Sequence, residues 1–338
     1  MKRSRRSSPP PRSWQPAGGS LLCFRTSVVT LLLASPSSDV RRGKPRTDGG
    51  CPTAAQLSFT RSQQKSSRHA DMMQKRRACV FTCVRDEPFF LPLWHRYYSR
   101  HFQSEDMHLL HHVTSEVEHP DVAFGSALKL FDDNNVTTLV HAEYCPEWMR
   151  TVVSAKLSSL LETYEAVLFA EVDELVCTVP ASHHPSLASY VQAFLDTTKS
   201  PAVRCVGYEV HHDFSCEPPL DTALPVLAQR TRWHRNTLYD KALLTRGPLH
   251  WSLGFHTCDE EPPQDADLYL VHLHKIDFQA YLTRHEKRSQ WKHAAEAIAN
   301  GWNEHFRKQG AALMGQYMNL PSPLEEIPEW VQVALSEI

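Results

Sequence analysis

The sequence is poor in glycine, and its few glycines are scattered. Only 12 of the 338 residues are glycine, and no Gly-rich turn that could cradle a phosphate follows a predicted strand. A dinucleotide-binding fingerprint is therefore excluded. Cysteine provides no disulfide framework either, because the nine cysteines are odd in number and irregularly spaced. In a chain of this size that pattern indicates free thiols in a reducing compartment.

The chain also lacks a long uninterrupted hydrophobic run. The best candidate, residues 21–34, is broken by Arg25. It is shorter than the roughly 20 apolar residues that a membrane-spanning helix requires. We therefore expect no transmembrane helix.

Residues 1–76 form a basic segment rich in Ser, Arg and Pro, which we expect to be disordered. Acidic residues are absent from its first 38 positions. That absence is typical of a transit peptide, with a weak signal sequence or a translation start at Met72 or Met73 as the alternatives. The sequence leaves the three open. We expect a cytoplasmic protein first and an organellar one second.

Basic residues are scarce in the remainder of the chain. Residues 1–77 carry sixteen Lys or Arg against three acids, which leaves twenty basic and thirty-five acidic side chains, a net charge of −15, for residues 78–338. This composition lacks the basic footprint of a nucleic-acid-binding protein, so we expect no nucleic-acid partner. An acidic protein that binds an anionic substrate needs a metal ion or a few well-placed Arg and Lys side chains.

Strand-like and helix-like patterns alternate from residue 77 onward. The patterns predict strands over 77–84, 106–113, 136–140, 167–170, 202–210 and 268–274, and helices over 89–99, 146–164 and 186–195. Strands and helices that alternate with short links are typical of βαβ units, so we predict an α/β protein with a mostly parallel sheet flanked by helices. We assign residues 77–288 to this domain and residues 289–338 to a helical C-terminal extension.

One predicted strand ends in three acidic residues within four positions, Glu171, Asp173 and Glu174. Carboxylates this close repel each other unless positive charge lies between them. Strand alternation puts Glu171 and Asp173 on one side, where their oxygens could hold one divalent cation. Strand ends of this kind are also where open α/β sheets bind ligands. For an isolated triplet, a solvated acidic turn is the plain alternative.

Motifs on both sides of this cluster, taken in order, resemble a known family. They lie at residues 84–87, 93–102, 171–174, 207–210, 229–230, 239–241, 251–256 and 272–277. The series is similar to family 2-like glycosyltransferases of the GT-A type, in the group with an Arg-(Asn/Asp)-Glu turn and an Asp-Val-Asp-Glu metal signature. The likeness covers roughly residues 78–288. It implies a Rossmann-like GT-A fold and transfer of a sugar from a nucleotide-sugar donor, usually with Mn²⁺ or Mg²⁺. Inversion is expected only through this resemblance, and the acceptor (carbohydrate, lipid or protein) stays open.

The resemblance also implies a set of metal ligands. Asp173 is the first choice, with Glu171 beside it. A histidine often completes such a site, and His256 is preferred over His272 and His274 because it follows the motif at 251–255. Packed or surface imidazoles are the alternative for each histidine.

Further residues are candidates for contacts with the donor. Arg85 and Glu87, at the end of the first strand, are expected to contact the nucleotide. Arg230 and Lys241 could neutralise a diphosphate, with surface ion pairs as the alternative reading.

An inverting transferase needs a general base, usually Asp or Glu, for the acceptor hydroxyl. Asp213 and Asp259 are the two candidates, and a solvated loop carboxylate is the alternative for each.

Two positions depart from the family pattern. Glu171 stands where Asp is usual, which lengthens the arm by one methylene. Residues 111–116 replace the acidic turn that usually reads the nucleoside. These departures keep a second class open, a GT-A-shaped binding or scaffolding protein without transfer activity. A metal-dependent hydrolase or nucleotidyl-type enzyme is a third.

Overall fold

The computed structural model describes residues 75–115, 122–179, 184–336 and 338. The disorder predicted for residues 1–76 falls outside these ranges except for the last two positions, where the first strand already begins at Arg76. The strands are β1 (Arg76–Val84), β2 (Met107–Val113), β3 (Val136–Val140), β4 (Tyr164–Phe169), β5 (Glu174–Thr178), β6 (Ala202–His211), β7 (Arg232–Arg235), β8 (Ala242–Thr245), β9 (Gln264–Lys275) and β10 (Glu325–Glu326). The helices are α1 (Phe90–Tyr98), α2 (Val122–Leu128), α3 (Pro146–Thr163), α4 (Leu187–Thr197), α5 (Phe278–Ser289), α6 (Ala295–Ala299), α7 (Gly310–Met318) and α8 (Glu329–Ala334).

The first four strands form the parallel half of one sheet. Their order is β3-β2-β1-β4, and each neighbouring pair is parallel. Helices α1, α2 and α3 fall between these strands in the chain, as the βαβ pattern predicts. The α/β class, with a sheet flanked by helices, is confirmed.

The second half of the sheet is mixed. Strand β8 is antiparallel to β4 and β6, β7 is antiparallel to β6 and β10, and β5 is antiparallel to β9. Only β6 and β9 pair in parallel there. The expectation of a mostly parallel sheet therefore describes the first four strands and not the whole. Strands β7 and β8 have only four residues each, too few for a periodic signal, so long-range pairing defines them.

An aromatic helix fixes the turn that carries the acidic cluster. On α1, Trp94, Tyr97 and Tyr98 are buried against the sheet. Tyr97 and Tyr98 donate hydrogen bonds from their hydroxyls to the carbonyl oxygens of Val176 (2.6 Å) and Glu174 (3.1 Å). These bonds tie β5 to α1, and Nε1 of Trp94 donates to the carbonyl oxygen of Ala170 at 3.3 Å, so α1 holds the acidic turn at both ends.

The C-terminal residues share the core of the sheet. Ile327, Val331, Leu335 and Ile338 are buried in the same hydrophobic cluster as β1 and β4. The boundary predicted between 288 and 289 falls at the end of α5, and the division into two units stays a prediction. Within the described part of the chain, no helix has the length and apolarity needed to cross a membrane.

Candidate functional site

Two turns meet at one edge of the sheet. Strand β1 runs into Arg85-Asp86-Glu87, and its parallel neighbour β4 runs into the acidic turn. Carboxyl ends of parallel neighbours lie at the same edge, where such sheets bind ligands. Asp86 adopts a left-handed conformation with a φ of 53°, which Asp tolerates better than most residues. After this turn Glu87 is buried.

Asp173 lies among three nitrogen-bearing side chains. Arg284 donates a hydrogen bond to Oδ2, and ring nitrogens of His274 and His272 lie 3.4 and 3.6 Å from the same oxygen. Burial alone would raise the pKa of the Asp173 carboxyl, but Arg284 and the two imidazoles outweigh it, and the pKa lies well below its usual range. Asp173 is therefore a fixed anion.

Arg284 joins the two turns. Its Nε donates to Oε1 of Glu87 at 2.9 Å while Nη1 donates to Asp173. The guanidinium carbon lies 4.5 Å from the ring centroid of Phe90. Burial would lower the pKa of Arg284, but the two carboxylates raise it above its usual value. Glu87 also accepts a hydrogen bond from Nη2 of Arg288 at 3.0 Å.

The other two carboxylates of the acidic turn share a lysine. Nζ of Lys241 contacts Oε2 of Glu171 and lies 2.5 Å from Oε1 of Glu174. Lys241 is fully buried. Burial would lower its pKa, but the two carboxylates raise it, so the lysine stays charged. Burial alone would raise the pKa of Glu171, but Lys241 outweighs this effect and lowers it.

A second buried carboxylate faces the same edge from β6. Glu209 lies 3.0 Å from Nδ1 of His272, 3.2 Å from Nε2 of His234 and 3.5 Å from Nζ of Lys275. Burial alone would raise the pKa of Glu209, but these neighbours hold it well below its usual range. Glu209 is a second fixed anion.

His272 links the two fixed anions. Its Nδ1 faces Glu209 and its Nε2 faces Asp173. Burial would lower the pKa of His272, but the two carboxylates raise it above its usual value. The ring of Tyr239 packs against it, with centroids 4.0 Å apart. His272 thus lies between two carboxylates that both favour its protonated form.

These groups surround a cavity of about 340 Å³. The carboxylates that line it are Glu171, Asp173 and Glu209, the cations are Lys275 and Arg288, the imidazoles are His256, His272, His274 and His305, and the rings include Tyr144, Tyr239 and Phe306. A cavity of this size at a strand edge, with convergent charged groups, has the character of a ligand site.

His256 enters the cavity from a strained turn. Gly254 and Phe255 both adopt positive φ, 78° and 61°, and for a bulky residue such as Phe that conformation is rare. Nδ1 of His256 lies 2.9 Å from the carbonyl oxygen of Leu238. A proton on Nδ1 satisfies that carbonyl and leaves Nε2 to a ligand. Burial and the nearby Lys241 lower the pKa of His256 to about 4, so its ring is neutral.

Aromatic rings form the wall of the cavity beside Arg85. The guanidinium carbon of Arg85 lies 4.7 Å from the ring centroid of Trp291. Trp291 packs against Tyr144 with centroids 5.2 Å apart, and Tyr144 against Phe306 at 5.6 Å. Trp291 therefore lies between Arg85 and the lining residue Tyr144, whereas Glu87 and Lys241 directly contact the lining residues Arg288 and Glu171.

Three further predicted residues do not line it either. Arg230 is fully buried and donates to Asp277 at 3.0 Å. Asp213 accepts hydrogen bonds from Ser215 in a turn after β6, and Asp259 is exposed in the loop before β9. The roles predicted for them stay predictions.

The carboxylates expected to bind a metal are already paired with protein cations. Asp173 is bound by Arg284 and Glu171 by Lys241. Among the described residues, no group of three or more His, Cys, Asp or Glu side chains is arranged to hold a metal ion. Since a hard cation needs several oxygen ligands at short range, this arrangement does not fit Mn²⁺ or Mg²⁺. Of the described residues predicted as metal ligands, His256 presents the geometry of a ligand, with Nδ1 on a carbonyl oxygen and Nε2 toward the cavity.

Sequence reasoning did not identify Arg284, Arg288 and Tyr144 as site residues. A signal existed for the two arginines, which lie four residues apart on the helix that follows the motif at 272–277 and so share a face. Tyr144 lies in an irregular connection before α3 and carried no signal. Glu209 lies within the motif at 207–210 but had no role assigned.

Of the residues that replace the usual nucleoside-reading turn, His111 and His112 are buried in β2. Glu116 lies outside the described residues. The identity of the nucleoside contact stays open at this position.

Comparisons with known proteins yield distant structural likeness. Neither a protein-family model nor a curated protein sequence matches the chain. A solved structure of S. aureus TarS 1–349 is similar over 50% of this chain and 47% of its own length, with 14% identity and a TM-score of 0.31. The mannosyltransferase PcManGT from Pyrobaculum calidifontis, in complex with GDP-Man and Mn²⁺, is similar over 68% of this chain and 66% of its own, with 15% identity and a TM-score of 0.34. TarS 1–349 in complex with UDP is similar over 72% and 76%, with 10% identity and a TM-score of 0.34.

The match thus spans about half the length of the first of these structures. Likeness at this level says nothing about chemistry, so the function is argued from the cavity and the motifs.

Proposed function

We propose that this protein is a glycosyltransferase that binds a nucleotide-sugar donor in the cavity at the carboxyl edge of β1 and β4. One observation carries the proposal. Motif segments that are far apart in the sequence converge on this single cavity, which is lined by Asp173, Glu209, Tyr239, His256 and His272. Convergence of this kind is expected when the segments serve one ligand, whereas unrelated likenesses would scatter over the surface.

The charges of the cavity suit the leaving group of such a reaction. Arg288 and Lys275 line it and supply permanent positive charge to diphosphate oxygens. Fixed cations aimed at a site of developing negative charge stabilise the transition state. In the transfer, the acceptor oxygen bonds to the anomeric carbon, the bond from that carbon to the diphosphate oxygen breaks, and the electron pair leaves with the nucleoside diphosphate.

The proton of the acceptor hydroxyl must pass to a base. Among the carboxylates that line the cavity, the side chain of Glu171 is 37% exposed, against 8% for Asp173 and 3% for Glu209. We assign the role of base to Glu171 for this reason. For Asp213 or Asp259 to act instead, the acceptor would have to extend beyond the cavity.

Calorimetry with UDP and GDP tests the proposal. We expect one of the two to bind in a one-to-one complex. The variant Arg288→Gln should weaken this binding about tenfold, roughly 1.4 kcal/mol, because it removes a cation from the cavity. Arg232→Gln is the matched control, since Arg232 lies outside the cavity and pairs with Glu326 at 3.7 Å. Its affinity should equal that of the unmodified protein.

Failure of both nucleotides to bind would contradict the proposal. A second assay follows consumption of UDP- and GDP-linked sugars. Nucleotide binding without any hydrolysis or transfer of the donor sugar would instead favour the binding or scaffolding protein that the sequence left open.

A further inference from the structure

Each carboxylate at the acidic turn is paired with a cation of the protein. The turn and its neighbours hold the carboxylates Glu87, Glu171, Asp173, Glu174 and Glu209 and the cations Lys241, Lys275, Arg284 and Arg288. His272 lies between Asp173 and Glu209, with ring nitrogens 3.6 and 3.0 Å from their oxygens. Sites that hold divalent cations offer several carboxylate oxygens without a protein cation beside them, and this cluster does not.

Arg284 occupies a position from which it cannot easily move. It donates to Glu87 and Asp173 at once and stacks on Phe90. An arginine keeps its charge at any pH that the protein tolerates. A divalent ion on Oδ2 of Asp173 would have to displace Arg284 and leave its charge buried without this partner, which is strongly unfavourable. A divalent ion on Oδ1 would lie close to the same guanidinium and be repelled by it.

Lys241 pairs with the other two carboxylates of the acidic turn, as Arg284 pairs with Asp173. It is buried between Glu171 and Glu174, and no solvent is available to hydrate it if Glu171 turns to a metal. Both predicted carboxylate ligands are therefore committed to cations that belong to the fold itself.

We infer that Arg284 and Lys241 take the place of a divalent metal ion in this site, and that the protein binds its nucleotide-sugar donor without metal. The part about the donor rests on the proposed function, whereas the part about the cation concerns the protein alone. The diphosphate then meets Arg288 and Lys275, and the buried pair Arg284 and Lys241 keeps the acidic turn from repelling it.

Titration of the protein with MnCl₂ alone, followed by the electron paramagnetic resonance signal of free Mn²⁺, tests the cation part. We expect the signal of the unmodified protein to match that of buffer. The variant Arg284→Met removes the guanidinium from Asp173, while Glu87 keeps Arg288 as its partner, and should bind Mn²⁺ at least tenfold more tightly. The double variant Arg284→Met with Asp173→Asn should lose that gain, which shows that Asp173 is the ligand.

Stoichiometric Mn²⁺ binding by the unmodified protein, abolished by Asp173→Asn, would overturn the inference. This measurement needs no variant that removes a buried charge pair, so it decides the question even if Arg284→Met does not fold.

Calorimetry of UDP and GDP in EDTA and in MnCl₂ tests the donor part. Equal affinities support it, and binding that requires Mn²⁺ overturns it. If neither nucleotide binds under either condition, the proposed function fails while the Mn²⁺ titration still judges the cation pair.

Discussion

Gly207 lies where β6 passes so close to Tyr239 that no side chain fits. A Cβ at Gly207 would lie 2.5 Å from the Cβ and the carbonyl carbon of Tyr239. Tyr239 in turn packs against His272 and lines the cavity. The glycine therefore sets the position of one wall of the site.

We expect Gly207→Ala to lower the free energy of unfolding by about 1–3 kcal/mol, because the backbone at Tyr239 must shift. Urea unfolding measures this, and calorimetry should show weaker nucleotide binding. Gly247→Ala is the matched control, since its Cβ would meet only Pro201 at 3.9 Å. It should change stability by no more than about 0.5 kcal/mol. Equal effects of the two variants would contradict the steric argument.

A substitution at Lys241 tests how much the buried ion pairs contribute to stability. Lys241→Met leaves Glu174, which is fully buried, without its cation. We expect a loss of about 3–5 kcal/mol in the free energy of unfolding. Lys292→Met removes an exposed partner of Glu143 and should cost no more than about 1 kcal/mol.

The loss in Lys241→Met should depend on pH. Burial and the neighbouring Glu171 already raise the pKa of Glu174 although Lys241 opposes them. Without the lysine this upward shift is larger, so protonation favours the folded state more strongly. The deficit relative to the unmodified protein should therefore be smaller at about pH 5 than at about pH 8. Urea unfolding at both pH values checks this, and a deficit that grows toward acid would refute it.

At the scale of elements, helix α5 carries Arg284 and Arg288, and its first turn is set by Asp277. The Asp277 carboxylate accepts from the backbone N–H of Ala280 at 2.8 Å and from Arg230 at 3.0 Å. The same residue thus caps the helix and neutralises a buried arginine, so its loss acts on both.

We expect Asp277→Ala to lower the free energy of unfolding by about 3–5 kcal/mol, because the cap is lost and Arg230 is left buried without its carboxylate. Nucleotide affinity should fall as the start of α5 loosens. Ser186→Ala, which removes the cap of α4, should cost only about 1 kcal/mol and leave nucleotide affinity unchanged. Urea unfolding and calorimetry compare the two, and equal nucleotide affinity in both variants would contradict the role of α5.

The elements that the sequence predicted are those with their own periodicity. Helices α1 and α3 and strands β1, β2 and β3 lie within a few residues of their predicted bounds. Strand β5 was not predicted, because it begins inside the acidic turn and is paired only with β9, nearly a hundred residues away. Strands therefore hold the acidic turn on both sides, whereas the sequence predicted a strand on only one side of it.

At the scale of the whole molecule, several buried histidines are kept neutral by the fold. Burial lowers the pKa of His108 to about 3, of His211 to about 4 and of His285 to about 2. Their unfolded pKa is about 6.5. Between these values the unfolded chain binds protons that the folded protein does not, so stability is full above about pH 6.5 and falls as the pH drops.

We expect the urea midpoint to fall between about pH 7 and pH 5, with each such histidine contributing up to about 1.4 kcal/mol per pH unit below 6.5. The variant His211→Gln should reduce the slope of stability against pH by about the contribution of one histidine. A midpoint that stays constant over this range would contradict the assignment of these rings as buried and neutral.

The sequence by itself determined the α/β class, the parallel order implied by βαβ units and the location of the acidic turn. These follow from local pattern, since apolar periodicity and short links act over a few residues at a time. It also indicated ten of the 22 residues that line the cavity, through motifs that stand in order along the chain.

The tertiary structure alone decided which charges meet. Glu87 and Arg284 are 197 positions apart, and Asp173 and Arg284 are 111 apart, so no local pattern could pair them. An acidic turn reads as a metal site until the fold brings buried cations to it, because charge compensation depends on distance in space and on exclusion of water. That is why the carboxylates came from the sequence, and the identity of the cation beside them came only from the fold.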